Sequence, residues 1–252
     1  VDRLFGGIVS SKYVWGFQMT DLDRASLLTR LARAVADDSP DRPFEMRLCR
    51  AFLSILGGDG AALTLSYTRP ERVTLCVTDD VAARLEDLQD VLGEGPGPTA
   101  YETQDITVAD LGAGSGRWPL FIDAAREIAG GEVLYAVPMR AAAAVIGVLS
   151  VHQSSRELPD RDRAQFLADA IGAALVKDTP QESDLTAGPW SSRSAIHQAT
   201  GMVVVQLRIS PDDAIALLRA HAFSHDTTLA DVASQVISRR LSFSDEAESE
   251  DS

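Results

Sequence analysis

Three helix-length apolar patterns stand in a row near the C-terminus, and they fix what that part of the chain can fold into. The first runs from about Ser191 to Leu207, with Ile196, Ala199, Val203 and Leu207 on one narrow stripe. The second opens on Ser210-Pro-Asp-Asp: Ser as N-cap, Pro at the first helical position, acids against the positive end of the helix dipole. Its predicted buried stripe is Ala214, Leu217, Leu218 and Ala222. The third follows the capping residue Thr228, with Leu229, Val232, Ala233, Val236, Ile237 and Leu241 on its buried face. Three helices this short enclose a small core, so the module needs support from a neighbouring domain or a second copy. Gly201 inside the first helix costs about 1 kcal/mol relative to alanine. Tight packing against a neighbouring helix is the favoured reason for it, and a close approach by a bound partner is the alternative.

The preceding region alternates helices and strands. Leu22–Val35 and Phe44–Leu56 have helical apolar periods, ended by Asp37-Asp38-Ser39-Pro40 and Gly57-Gly58. Ala62–Thr68 and Arg72–Thr78 read as a hairpin turning at Arg69-Pro70-Glu71. Val81–Val91 is a helix, and Leu92-Gly-Glu-Gly-Pro-Gly-Pro98 then excludes both helix and central strand. A strand at Ile106–Leu111, a helix at Trp118–Ala129, strands at Val133–Arg140 and Val145–His152, and a helix at Arg161–Val176 complete the region. This succession predicts an α+β domain followed by a small all-α three-helix domain.

Charge is unevenly distributed. The chain is net −14, yet residues 187–243 hold five arginines against four acidic residues. An acidic body and an acidic tail therefore flank a near-neutral module, which disfavours loose polyanion binding and favours a few well-fitted contacts. No apolar run has the length of a membrane helix, so no membrane partner is expected and the expected location is the cytoplasm. Cys49 and Cys76 lack metal-site or redox-motif spacing and are read as reduced thiols.

Two resemblances follow from these segments. Leu92-Gly-Glu-Gly-Pro, Asp105-Ile-Thr-Val-Ala-Asp-Leu111 and Tyr135-Ala-Val-Pro-Met-Arg140 leading into Val145-Ile-Gly-Val-Leu-Ser150 resemble a GAF domain over residues 22–177. That resemblance implies a central antiparallel sheet, helices on one side and a ligand pocket on the other. The candidate pocket residues are Tyr101, Trp118, Phe121, Tyr135 and Met139, for an unidentified small-molecule or protein signal. Neither cysteine lies near the Gly-Glu-Gly-Pro turn, where a bilin-binding relative would need one.

Gln198-Ala-Thr-Gly201, Ala214, the Arg219-x-x-Ala-Phe block and Leu229-x-x-Val-Ala resemble the ANTAR domain, an RNA-binding output module of bacterial antitermination regulators. Many members of that family carry Lys where this chain has Thr200. The resemblance implies binding of paired hairpins with hexanucleotide loops in leader transcripts by a homodimer, which prevents terminator formation. Loop RNA is read through unstacked bases, phosphates and 2′-hydroxyls, so Arg, His, Ser, Thr and Gln donors are the candidate contacts. They are Arg193, His197, Gln198 and Thr200 on the first helix, and Arg219 and His221 on the second. Ser224, His225, Thr227 and Thr228 follow in the turn, with Arg239 and Arg240 at the end. Capping or turn hydrogen bonds are the competing role for the Ser and Thr residues.

Other chemistries lack their residues. Gly112-Ala-Gly-Ser-Gly116 fails the dinucleotide fingerprint because position 117 is Arg117. His221 and His225 are four apart but have no third ligand at metal spacing, so no metal, cofactor or catalytic role is expected. The domain scheme is a poorly ordered extension at 1–21, a GAF-like sensory or dimerisation domain at 22–177, a linker at 178–189, the RNA-binding module at 190–243 and a disordered acidic tail at 244–252. A DNA-binding regulator and a protein scaffold are the alternatives. The first is disfavoured because the third helix exposes Asp231, Ser234, Gln235 and Ser238 rather than basic residues.

Overall fold

The computed structural model describes residues 19–68, 71–113, 117–141, 144–155, 160–177 and 189–243. The extension before residue 19, the linker at 178–188 and the tail from 244 lie outside the described residues.

Helix α1 (Asp21–Asp37) starts on a capping box, in which Thr20 accepts from the Asp23 N–H and Asp23 in turn accepts from the Thr20 N–H. Thr20 and Asp21, assigned to the extension by sequence, are thus part of this helix start. Helix α2 (Phe44–Leu56) buries Leu48, Cys49 and Phe52 at helical spacing. It stops at Gly57, whose φ of +83° suits glycine. Strands β1 (Gly60–Thr68) and β2 (Glu71–Val77) follow, then α3 (Asp80–Leu92), capped by the Asp79 side chain and closed by left-handed Gly93.

The next element departs from the sequence reading. Pro96 begins a helix, α4 (Pro96–Thr103). Pro96 and Pro98 fall in its first turn, where backbone N–H groups have no intrahelical acceptor to lose. Then come β3 (Thr107–Asp110), α5 (Pro119–Ala129), β4 (Val133–Ala141), β5 (Ala144–Gln153) and α6 (Arg161–Lys177).

The five strands form one antiparallel sheet in the order β2-β1-β5-β4-β3. One face, with Leu63, Leu65, Val137, Met139, Leu149 and Val151, packs on α1, α2 and α6. Across the sheet, Leu134 packs with α5, and Ala136 and Val148 pack with Ala100 of α4. The sheet is therefore covered by helices on both faces. Cys49 and Cys76 are free, buried thiols. Hydrogen bonding to Cys49, then burial, pushes the Cys76 thiol far up.

Helices α7 (Pro189–Leu207), α8 (Pro211–Ser224) and α9 (Leu229–Ile237) form the C-terminal module. Ser210 and Thr228 cap α8 and α9 through their side chains. Ala199, Val203, Ala214, Leu218, Val232, Ala233 and Val236 are fully buried between the three helices. Ile215 takes the buried position assigned to Leu217, which is 37% exposed. The support such a small core needs comes from the first domain: Val91 of α3 belongs to the same apolar cluster. α7 also runs beside edge strand β2.

Candidate nucleic-acid interface

Two surfaces of the C-terminal module gather the candidate residues, and they differ in what they face. The first is a groove of about 620 Å³ between α7 and the turn after α9. Gln198, Gly201, Met202, Val205 and Gln206 line it from α7, and Arg239, Leu241 and Ser242 from the other side. Gly201 is exposed, and a Cβ added there would meet nothing within 4 Å, so it does not serve helix packing. Val205 beside it is 77% exposed. Among the described residues no group donates to the buried Oε1 atom of Gln206 in the wall. Arg239 and Arg240 are exposed just past α9, where Arg239 takes a left-handed φ of 57°. Apolar walls with Gln, Ser and Arg at the rim suit a splayed-out base and its phosphate.

The second surface is occupied. The Arg219 Nε donates to the Asp90 carbonyl at 3.0 Å, tying α8 to the C-terminal end of α3. Burial there, acting first, holds the Arg219 guanidinium below its ordinary value. Arg219 is therefore a contact between domains and not an open RNA ligand.

The remaining candidates divide by their hydrogen bonds. Thr200 donates to the Ile196 carbonyl at 2.8 Å and Ser224 to the His221 carbonyl at 3.0 Å, so both hydroxyls serve their own helices. Thr227 and Thr228 donate to Asp231 at 3.3 and 2.8 Å, and Thr228 also caps α9. His221 stacks on His225 with ring centroids 4.0 Å apart and meets Phe243 edge-on at 5.6 Å. The His225 Nδ1 lies 2.8 Å from the Ser224 hydroxyl. The two rings lie together at the end of α8 beside Phe243. Among the described residues no group of His, Cys, Asp or Glu is placed to hold a metal ion. His197 and Gln198 are exposed on α7, and the Arg193 side chain lies outside the described residues.

In the first domain the five pocket candidates do not line one cavity. Tyr135 and Met139 share parity on β4 and point to the α2/α6 side. Phe121 is fully buried in the α3/α5 cluster on the opposite side, and Tyr101 packs on Ala100, Ala136 and Val148. Trp118 caps α5 and donates its indole N–H to the Thr99 hydroxyl at 3.0 Å. The sheet divides them between its two faces, with Tyr101 and Trp118 only partly buried.

A polar cluster that sequence reasoning missed lies between β1, β2 and α3. Arg72 donates to Glu86 at 2.6 Å and to Asp90 at 2.8 Å. Thr64 donates to Glu86 at 3.0 Å, and Gln89 donates to Glu86 at 3.1 Å. Burial works against the Arg72 charge, but Asp90 and Glu86 outweigh it and hold its guanidinium above its ordinary value. Burial, with repulsion from Glu86 and Asp87, pushes the Asp90 carboxyl up to about 6 despite Arg72. The signal was present in Glu86, Gln89 and Asp90 at spacings of three and four, one polar stripe on a helix. The start of α3 is fixed as well: His152, buried, lies 2.6 Å from Glu132 and 3.1 Å from the capping residue Asp79.

The family model that matches this chain does so on the C-terminal helices, over residues 190–237. That model is the ANTAR domain, which this segment resembles. No curated protein matches the chain. Among solved structures, a GAF domain of nlh2 from A. aeolicus, in an inactive state, is similar at 14% identity and a TM-score of 0.42. That match covers 62% of this chain and 96% of the other. The GAF-B domain of DevS from Mycobacterium smegmatis is similar at 19% identity and a TM-score of 0.34, covering 52% of this chain and 90% of the other. A GAF domain/HD domain protein from Geobacter sulfurreducens gives 16% identity and a TM-score of 0.36, over 61% of this chain and 97% of the other. No described helix is long and apolar enough to cross a membrane.

Proposed function

We propose that this chain is a non-enzymatic transcription antitermination regulator of the cytoplasm. Its ANTAR domain binds tandem hexaloop hairpins in nascent leader transcripts, which keeps the terminator from forming. The observation that carries this reading is the ANTAR match at residues 190–237, on helices that leave a groove open beside Arg239 and Arg240. Gln198, Gly201, Val205 and Arg239 form the RNA-facing surface; unstacked loop bases enter the groove and the arginines meet the backbone. The GAF-like region senses a signal or holds a homodimer, so that two modules engage two loops at once. The reading as a major-groove DNA binder is the weaker one, because α9 exposes Asp231 and Ser234, with Ser238 at its C-cap.

The test is an electrophoretic mobility shift of the full chain at near-physiological salt. A tandem-hairpin RNA, the same RNA with scrambled loops, and duplex DNA of equal length are compared. Loop-dependent retardation of the RNA supports the proposal. Equal retardation of all three, or of the duplex alone, sinks it.

A further inference from the structure

The contact between α8 and α3 joins a candidate RNA ligand to the part of the first domain that is most tightly wired. Arg219 caps the end of α3 through the Asp90 carbonyl, at the negative end of that helix dipole. Its guanidinium also fills the space beside Gly93, where an added Cβ would come within 3.0 Å of Nη1. Val91 inserts its side chain into the core of the C-terminal module. Adhesion is not the whole of this seam. Asp87 of α3 and Asp231 of α9 repel across it, and desolvation, Glu86 and then Asp231 raise the Asp87 carboxyl. Val91 and the Arg219 cap, together with α7 running beside β2, hold the two parts together, and Asp87 and Asp231 oppose them.

The other end of the wiring is the Gly-Glu-Gly-Pro turn. The Gly97 N–H donates to Gln89 Oε1 at 2.7 Å, and Gln89 is bonded to Glu86, which holds Arg72. Arg72 in turn holds the Asp90 carboxylate, and the backbone carbonyl of the same residue receives Arg219. A displacement of the turn therefore reaches α3 directly, and α3 is the element that Arg219 grips.

We propose that the C-terminal end of α3 is a docking surface for the RNA-binding module, and that it competes with hairpin RNA for Arg219. This rests on the RNA-binding reading above and adds its control. In the docked form Arg219 is spent on the Asp90 carbonyl; in the released form it joins Gln198 and Arg239 in contacting RNA. A ligand can shift such an equilibrium only by its differential affinity for the two forms, and Arg219 supplies that difference.

Two full-length variants test it against wild type with the tandem-hairpin RNA. Val91→Asp places a charge in the apolar seam and releases the module. Asp87→Cys with Asp231→Cys, joined by a short bismaleimide carrying a cleavable disulfide, holds it closed; Cys49 and Cys76 are buried and do not compete for the reagent. Release is verified by faster hydrogen exchange at the amides of 90–93, with slow exchange in β4, β5 and the buried turns of α8 and α9 showing that the sheet and the module both stay folded. Val91→Asp is expected to bind RNA about tenfold more tightly, and the tethered protein about tenfold more weakly until the tether is cleaved. If wild type, released and tethered forms bind the hairpins equally, the competition is overturned while RNA binding stands. If the released form binds no RNA, the RNA reading falls and the competition with it.

Discussion

Gln89 of α3 accepts the backbone N–H of Gly97 through Oε1 at 2.7 Å, and both residues are buried. The amide therefore substitutes for water at the start of α4, where a helix leaves its first N–H groups without acceptors. Its other end donates to Glu86. Leucine at this position has similar bulk and neither bond. Gln89→Leu is expected to lower unfolding stability by about 2 kcal/mol, because the Gly97 N–H would be buried unpaired. Urea denaturation checks this, and an unchanged midpoint would show that the turn does not depend on α3.

Asp90 gives a pH dependence of unusual sign. Its carboxyl is pushed up from an ordinary 3.8 to about 6 in the folded chain, chiefly by burial. The folded form then binds more protons than the unfolded one between those two values. By linkage, this group's contribution is fully present below the unfolded value and is lost as pH rises through the folded one. Asp90→Asn keeps the carbonyl that receives Arg219 and removes the titration. The variant should lose the part of the stability decline between about pH 4 and pH 6 that belongs to Asp90, roughly 3 kcal/mol. Thermal unfolding of both proteins across that range measures it; parallel pH profiles would remove Asp90 as the source.

The sequence made some of this legible and hid the rest for physical reasons. Phe44–Leu56 reads directly as a helix because its apolar residues fall at helical spacing before Gly57-Gly58, and the structure places α2 over the same residues. Ser210 and Thr228 are legible as caps because capping is a local hydrogen bond, and their side chains make it. Helix α4 was hidden by its prolines, which are barred from helix interiors but not from a first turn. The pocket candidates failed because side-chain direction in a strand alternates with parity. Tyr135 and Met139 consequently face away from Phe121. Arg219 could be read as a helix-surface cation but not as a docking residue, since its acceptor lies 129 positions earlier in the chain.

Gly201 separates packing from binding. It is helical, its φ is not among the positive values of the chain, and its missing Cβ faces open space. Gly201→Ala should therefore stabilise the chain by about 0.5–1 kcal/mol through helix propensity and a less flexible unfolded chain. Gly201→Phe fills the groove without touching the buried core and should weaken hairpin binding by roughly tenfold if bases enter there. Denaturation and mobility shift of the two variants are read together. Destabilisation by alanine would return Gly201 to a packing role, and full RNA affinity in the phenylalanine variant would move the loop elsewhere.

Thr200 and Arg239 should behave oppositely, although both were candidates from sequence. The Thr200 hydroxyl is already committed to the Ile196 carbonyl at 2.8 Å, so Thr200→Ala should leave RNA affinity within about twofold, since it removes no contact to RNA. Arg239 is exposed at the rim of the groove, in a turn whose left-handed backbone fixes where its side chain starts. A phosphate contact from it contributes through counterion release, so Arg239→Gln should reduce the slope of log affinity against log salt by about 0.7–0.9. The loss should be similar for hairpins with altered loop sequence, because a backbone contact reads no base. Salt titrations of wild type and both variants on intact and scrambled loops decide the matter. An unchanged slope for Arg239→Gln, or a loss confined to the intact loop, would turn Arg239 from a phosphate ligand into a base-reading one or none at all.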